Sequence, residues 1–218
     1  MCQLPAAVSR LFAITLTTLL TAQNPAPAPD RPEGEGLGPY ERLLLRGAIV
    51  IDGTGAPPRG PINVTIHNNR IASVGGPALK PDRVIDARGM YLMPGFVDMH
   101  AHCGGKKKAP EAEYVYKLWL AHGVTTVRGV PLGSHAWTEK EKARSAKNEI
   151  TAPRIFNYQR PRVHDAEGAR EWVRKMAGRG IDGLKLGAYE PEIMHALIDE
   201  AHKHKLGTVA HLAQLGVA

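Results

Sequence analysis

The chain has 218 residues, of which 43% are hydrophobic and 22% charged, and a formal net charge of +7. That is ample for a folded core of one or two domains, and the charged and aromatic fractions are those of an ordinary globular protein. The basic residues are scattered, with Lys106-Lys107-Lys108 the only cluster. No nucleic-acid-binding motif accompanies it, so the charge alone does not make a case for a nucleic-acid partner.

The first 22 residues differ from all that follow. Arg10 precedes an apolar run from Leu11 to Ala22, the length of a signal-peptide core and too short to span a bilayer comfortably. Residues 1–22 are therefore expected to be a secretory signal, cleaved near Ala22. That implies a secreted or periplasmic protein with no membrane association after cleavage. Residues 23–41, with the Pro/Gly-rich stretch Asn24 to Pro39, read as a linker. Once the signal is removed Cys103 is the only thiol left, so no internal disulfide staples the fold.

Residues 42–95 read as a small β-unit. Arg42 to Asp52 has strand character and ends at the turn Gly53-Thr54-Gly55; Pro57 and Pro58 follow, so no helix stands ready to hold a phosphate. Ile62 to Ile66 alternates as a strand, turns at Asn68-Asn69 and returns over Ile71 to Val74. Val84 to Ala87 is a further short strand.

From Phe96 the pattern becomes strand–helix alternation. Strands are expected at Phe96–His102, Thr125–Val130, Arg154–Tyr158, Gly183–Gly187 and Thr208–Leu212, with helices near 111–122, 138–147, 165–179 and 190–205. Such alternation implies a parallel sheet with right-handed crossovers, either doubly wound or part of a (β/α)8 barrel. A whole barrel takes about 250 residues, so five strands fit in residues 96–218 and eight do not.

The sharpest chemical signal is the run from Pro94 to His102, PGFVDMHAH. On a strand, side chains alternate with period two, so His100 and His102 point the same way and can chelate one divalent metal at the carboxyl edge of the sheet. Asp98 shares that face and is a candidate to orient a ligand, whereas Cys103 is turned away. His202 and His204 lie on different faces of a helix. His122 is placed to favour a helix dipole, and His67, His135, His164 and His195 have no partner in sequence.

This arrangement resembles the amidohydrolase superfamily, particularly its imidazolonepropionase-like and Xaa-Pro-dipeptidase-like members. The residues that carry the resemblance are GAIVIDGTG at 47–55, the run IDARGMYLMPGFVDMHAH and GVTTVRG at 123–129. The family usually has an acidic residue where this chain has Gly129. The resemblance implies an α/β fold, namely a partial barrel of about five strands preceded by the N-terminal portion of a composite β-sandwich. It also implies a hydrolase that cleaves an amide, peptide or cyclic amide C–N bond of a small molecule through metal-activated water. One or two divalent ions are implied, with Zn2+ the expected metal.

Two further positions match the family's metal site. Lys185 falls where relatives carry a lysine carboxylated by CO2, and Leu184 and Leu186 beside it are expected on the helix-packed face, leaving Lys185 inward. His211 matches a histidine that binds the second metal. The family's further histidine and its general-base aspartate are expected beyond Ala218. The 218 residues alone are accordingly expected to be inactive, with open strand edges that favour oligomers. A catalytically inactive metal- or partner-binding chain is the competing reading.

Overall fold

The computed structural model describes residues 24–36, 38–76, 80–103 and 111–211. The expected signal segment and the Lys106–Lys108 loop lie outside the described residues.

The β-unit is a five-stranded sheet made of β1 (Arg42–Val50), β2 (Arg59–His67), β3 (Arg70–Val74), β4 (Arg83–Asp86) and β5 (Tyr91–Leu92). Its order is β3-β2-β1-β4, with β5 added to the far end of β1. β1 pairs antiparallel with β2 and parallel with β4 and β5. The β2–β3 hairpin turns at Asn68 and Asn69, both at positive φ (47° and 63°), the backbone a tight two-residue turn requires and asparagine tolerates. The core of the unit is small: Ala48, Val50, Val64 and Ala87, with Leu45, Ile62 and Leu92 packed against them.

The second half runs β6 (Phe96–Asp98), α1 (Ala112–Ala121), β7 (Val124–Val127), α2 (His135–Ala146), β8 (Arg154–Ile155), β9 (Tyr158–Gln159), α3 (Ala166–Ala177), β10 (Gly183–Leu186), α4 (Pro191–Lys203) and β11 (Gly207–Ala210). Every strand pairing in it is parallel. Two three-stranded sheets, β6-β7-β8 and β11-β10-β9, share the segment 154–159: β8 bonds to β7 on one side and β9 to β10 on the other. The bonds Phe156 N–H to Val127 O (3.1 Å) and Asp182 N–H to Asn157 O (2.9 Å) bridge the break. The strands thus follow one another in chain order without the reversal that defines a doubly wound sheet.

Several expected strand boundaries move; the second strand, for one, ends at Val127 rather than Val130. The first strand of this half ends at Asp98 rather than His102, because the Asp98 carboxylate accepts the His100 backbone N–H (2.9 Å) and bends the chain. The third strand is split at Phe156–Asn157. The fifth closes at Ala210, one residue before His211. The helices fall where apolar spacing predicted them, although α2 starts three residues early, where Ser134 caps it by accepting Trp137 N–H.

Residues 24–36, read from composition as part of a linker, pack against α1 and α2. Ala28 is buried and donates its N–H to Glu141 Oε2 (3.2 Å), while Arg144 reaches the Ala28 carbonyl (2.7 Å), Glu141 Oε1 (2.7 Å) and Asp30 Oδ1 (2.8 Å). Asn24 bonds Ser134, Ala112 N–H bonds the Ala26 carbonyl, and Arg31 N–H bonds Glu149 O. Glu141 is fully buried, so this strap supplies part of what compensates its charge. Among the described residues no helix is long and apolar enough to cross a membrane.

Candidate metal centre

The site forms where β6, β10 and β11 end. Although His100 and His102 lie past the end of β6, beyond the bend at Asp98, burial along the chain there still alternates from residue to residue. Ala101 N–H bonds Arg128 O, Ala101 and Cys103 are buried in the core beside Ala28, and His100 and His102 are exposed on the other side. Their ring centroids are 5.2 Å apart, with planes tilted by 49°.

Lys185 reaches the same point from the middle of β10. Leu184 and Leu186 bury themselves under α3 and α4, which turns Lys185 to the opposite face of the strand, where it is only 1% exposed. Its Nζ lies 3.5 Å from both ring nitrogens of His100. His211 follows β11, its N–H bonded to the Leu186 carbonyl (3.0 Å), and its ring lies 6.5 Å from that of His100, centroid to centroid. All four residues singled out from the sequence therefore meet at one place. Among the described residues, no three His, Cys, Asp or Glu side chains close tightly enough to grip an ion by themselves. The cluster is instead three imidazoles and a buried amine.

The electrostatics are positive. Burial lowers the Lys185 pKa first, and the Arg160 guanidinium lowers it further. Burial likewise lowers that of His102, assisted by His100, Lys185 and Arg160 against a small opposing pull from Asp98. Arg160 carried no signal in the sequence. The Asp98 carboxylate, expected near a ligand, is taken up by the His100 backbone. Cys103 turns away as expected, and burial above all, then Glu141, pushes its thiol up to about 12, out of nucleophilic range.

Below this layer, Tyr158 lies across Gly183 and Gly207. A Cβ on either glycine would collide with its ring or hydroxyl. Arg128 donates to the Tyr158 hydroxyl and stacks its guanidinium 5.2 Å from the ring centroid. Gly129 adopts φ 94° with no room for a side chain, because a Cβ would overlap the Met99 carbonyl.

The remaining histidines lie elsewhere. The His122 ring bonds the Leu118 carbonyl at the end of α1 (2.8 Å), His135 bonds the Arg179 carbonyl (3.1 Å), and His204 lies 3.5 Å from Glu200.

Residues 83–214 match the model of the amidohydrolase family. The chain is 32% identical over 137 residues to the N-acyl-D-aspartate deacylase of Alcaligenes xylosoxydans xylosoxydans, which covers 62% of this chain and 25% of that one. It is 42% identical over 60 residues to the dihydroorotase of Thermus aquaticus, covering 28% of this chain and 13% of that one. A solved Xaa-Pro dipeptidase superposes with a TM-score of 0.64 at 20% identity, over 78% of this chain and 56% of that one. Molinate hydrolase superposes with a TM-score of 0.66 at 20% identity, over 80% and 54%. The chain thus spans about a quarter of the deacylase and just over half of these two structures.

Proposed function

The chain belongs to the amidohydrolase family, and from that membership we propose that it is a metal-dependent hydrolase of a carbon–nitrogen bond in a small-molecule amide, peptide or cyclic amide. The curated relatives it matches are hydrolases that act on C–N bonds. The observation that carries the metal reading is the convergence of His100, His102 and His211 around the buried Lys185.

These residues suit a divalent ion. A metal ligand must be a neutral imidazole, and the depressed pKa of His102 keeps it neutral near pH 7. Two rings 5.2 Å apart at their centroids match the spacing of about 5 Å that two imidazoles adopt on one tetrahedral ion with Zn–N near 2.0–2.1 Å. The set lacks a negative charge, and Lys185 is the residue to provide it. A buried amine with a lowered pKa is more often unprotonated, so its nitrogen can bond the carbon of CO2. One proton leaves, and the resulting carbamate is anionic. A bound ion supplies Lewis acidity, making water a nucleophile at neutral pH and polarising the scissile carbonyl. The chain's own residues hold and orient: Asp98 fixes the His100 backbone, and the leucines of β10 under α3 and α4 fix the Lys185 stem. In this reading β6 to β11 form one side of a (β/α)8 barrel with the site at its carboxyl end, and the protein is exported.

The test is to load the full-length protein with Zn2+ in bicarbonate and assay a panel of N-acyl amino acids, Xaa-Pro dipeptides and cyclic amides. Turnover that disappears with the metal and with His100→Ala is expected. Equal turnover by metal-free protein, or none across the panel from protein that binds zinc, overturns the reading.

A further inference from the structure

We propose that the strap is a clasp on the histidine loop. Docked against α1 and α2, it holds His100 and His102 in the arrangement that takes a metal, and metal binding in turn holds the strap down. The inference rests on the metal reading above and adds a device that regulates it.

The strap meets the chain on both sides of the segment that follows the metal pair. On the near side, Ala101 and Cys103 alternate with His100 and His102, and both are buried in one cluster with Ala28 of the strap. The imidazoles and the side chains that share a core with the strap are thus opposite faces of the same four residues. On the far side, Ala26 pairs with Glu111 in an isolated parallel bridge, and its carbonyl accepts the Ala112 N–H at 3.0 Å where α1 begins. The strap therefore backs the chain where it carries the histidines and again where it enters α1.

The strap is also lightly held. Between Asn24 and Asp30 only Pro25 and Ala28 are buried, and the bridge at Ala26 is the one strand pairing of that stretch. Its attachment is mostly polar. The Ala28 N–H and carbonyl are engaged by Glu141 and Arg144, Asn24 is tied to Ser134 at one end, and the Arg31 N–H reaches the Glu149 carbonyl (2.7 Å) at the other. A segment with so little buried apolar surface lies at the low end of local stability, where it opens without global unfolding. Opening withdraws Ala28 from the core that Ala101 and Cys103 share, and the histidine loop loses its backing. A metal on the opposite face needs His100 and His102 held together, so it opposes that opening. Linkage makes the two effects equal in size: whatever factor strap release costs the metal, the metal costs strap release.

The experiment reads strap and loop separately in full-length protein. Alkylation of Cys103, followed by peptide mass spectrometry, reports the loop, and proteolytic cleavage within residues 24–36 reports the strap. In wild type, Zn2+ is expected to slow both by roughly 10-fold, a coupling of ordinary size. Ala28→Asp sets a second carboxylate against Glu141. It is expected to speed both reactions and to weaken zinc binding by about the same factor, with the circular dichroism of wild type retained. Zinc that binds yet changes neither rate overturns the clasp and leaves the metal reading intact. So does an Ala28→Asp protein that frees the strap but keeps wild-type zinc affinity. Wild type that takes up no zinc sinks the metal reading instead. Cys103 labelling that rises with strap cleavage in Ala28→Asp then supports the clasp, and labelling that stays at the wild-type rate overturns it. If Ala28→Asp fails to fold, the zinc dependence of the two wild-type rates decides alone.

Discussion

Gly129 and Met99 meet backbone to backbone, so closely that any side chain at 129 would enter the space of the Met99 carbonyl. Met99 directly precedes His100, which makes this contact the floor of the histidine loop. Gly129→Ala must accommodate both the overlap and a φ of 94°. A destabilisation of about 3 kcal/mol is expected, together with weaker zinc binding. Thermal unfolding and metal titration check it, and an unchanged melting temperature would show that the loop yields easily.

Lys185→Ala is expected to remove metal as well as activity. As the proposed source of the anionic ligand it should cost more than the 10–100-fold typical of residues that only orient a ligand, so a loss on the order of 100-fold or more is expected. Short carboxylic acids such as propionate should restore part of the zinc occupancy, since they return the missing oxygens to the space left by the side chain. Full zinc binding without rescue or bicarbonate would remove the lysine from the ligand set.

Glu141→Ala strikes the strap. The substitution leaves Arg144 and the Ala28 N–H without their shared buried partner, and a cost of 3–5 kcal/mol is expected. Residues 24–31 should become sensitive to limited proteolysis at temperatures where wild type resists. A cleavage pattern identical to wild type would mean that the remaining contacts suffice.

Acid stability is tied to Glu200, buried against α3 with Lys203, Arg174 and His204 around it. The hydrogen bond from Lys203 above all holds its carboxyl below the ordinary value of 4.5. The unfolded chain therefore binds the proton more readily than the folded one. Stability present above pH 4.5 is lost as pH falls through the folded value. Urea midpoints measured from pH 6 to about 3 should fall more steeply in wild type than in Glu200→Gln; parallel curves would refute the linkage.

Export is checked at the amino terminus. Protein recovered from the periplasm or medium is expected to begin near Ala22, and material that retains Met1 would count against a cleaved signal.

Much of this site was legible because its chemistry is periodic. Two histidines two apart, and a lysine between two leucines, declare their faces through alternation alone, and the alternation at residues 100–103 outlives the strand that was expected to carry it. Arg160 was illegible because it follows β9, whose place beside β10 is a matter of register rather than a local property. The strap was illegible for the opposite reason. Its prolines and glycines describe a flexible segment, and its order comes from distant partners, above all Glu141, one of two acidic residues on α2. The split third strand was likewise hidden, since the break follows from bonding to different neighbours at its two ends.

Tyr158, Gly183 and Gly207 form an arrangement whose parts have meaning only together. A ring that occupies the volume of two absent side chains makes three positions on three strands a single heritable unit. A larger residue at 207 is tolerable only after the tyrosine has shrunk, at 183 the Gly207 carbonyl would have to shift as well, and a smaller residue at 158 opens a void that neither glycine can fill. Along a lineage these positions should change in concert or not at all. Arg128, whose guanidinium rests on the same ring, should be drawn into any such exchange.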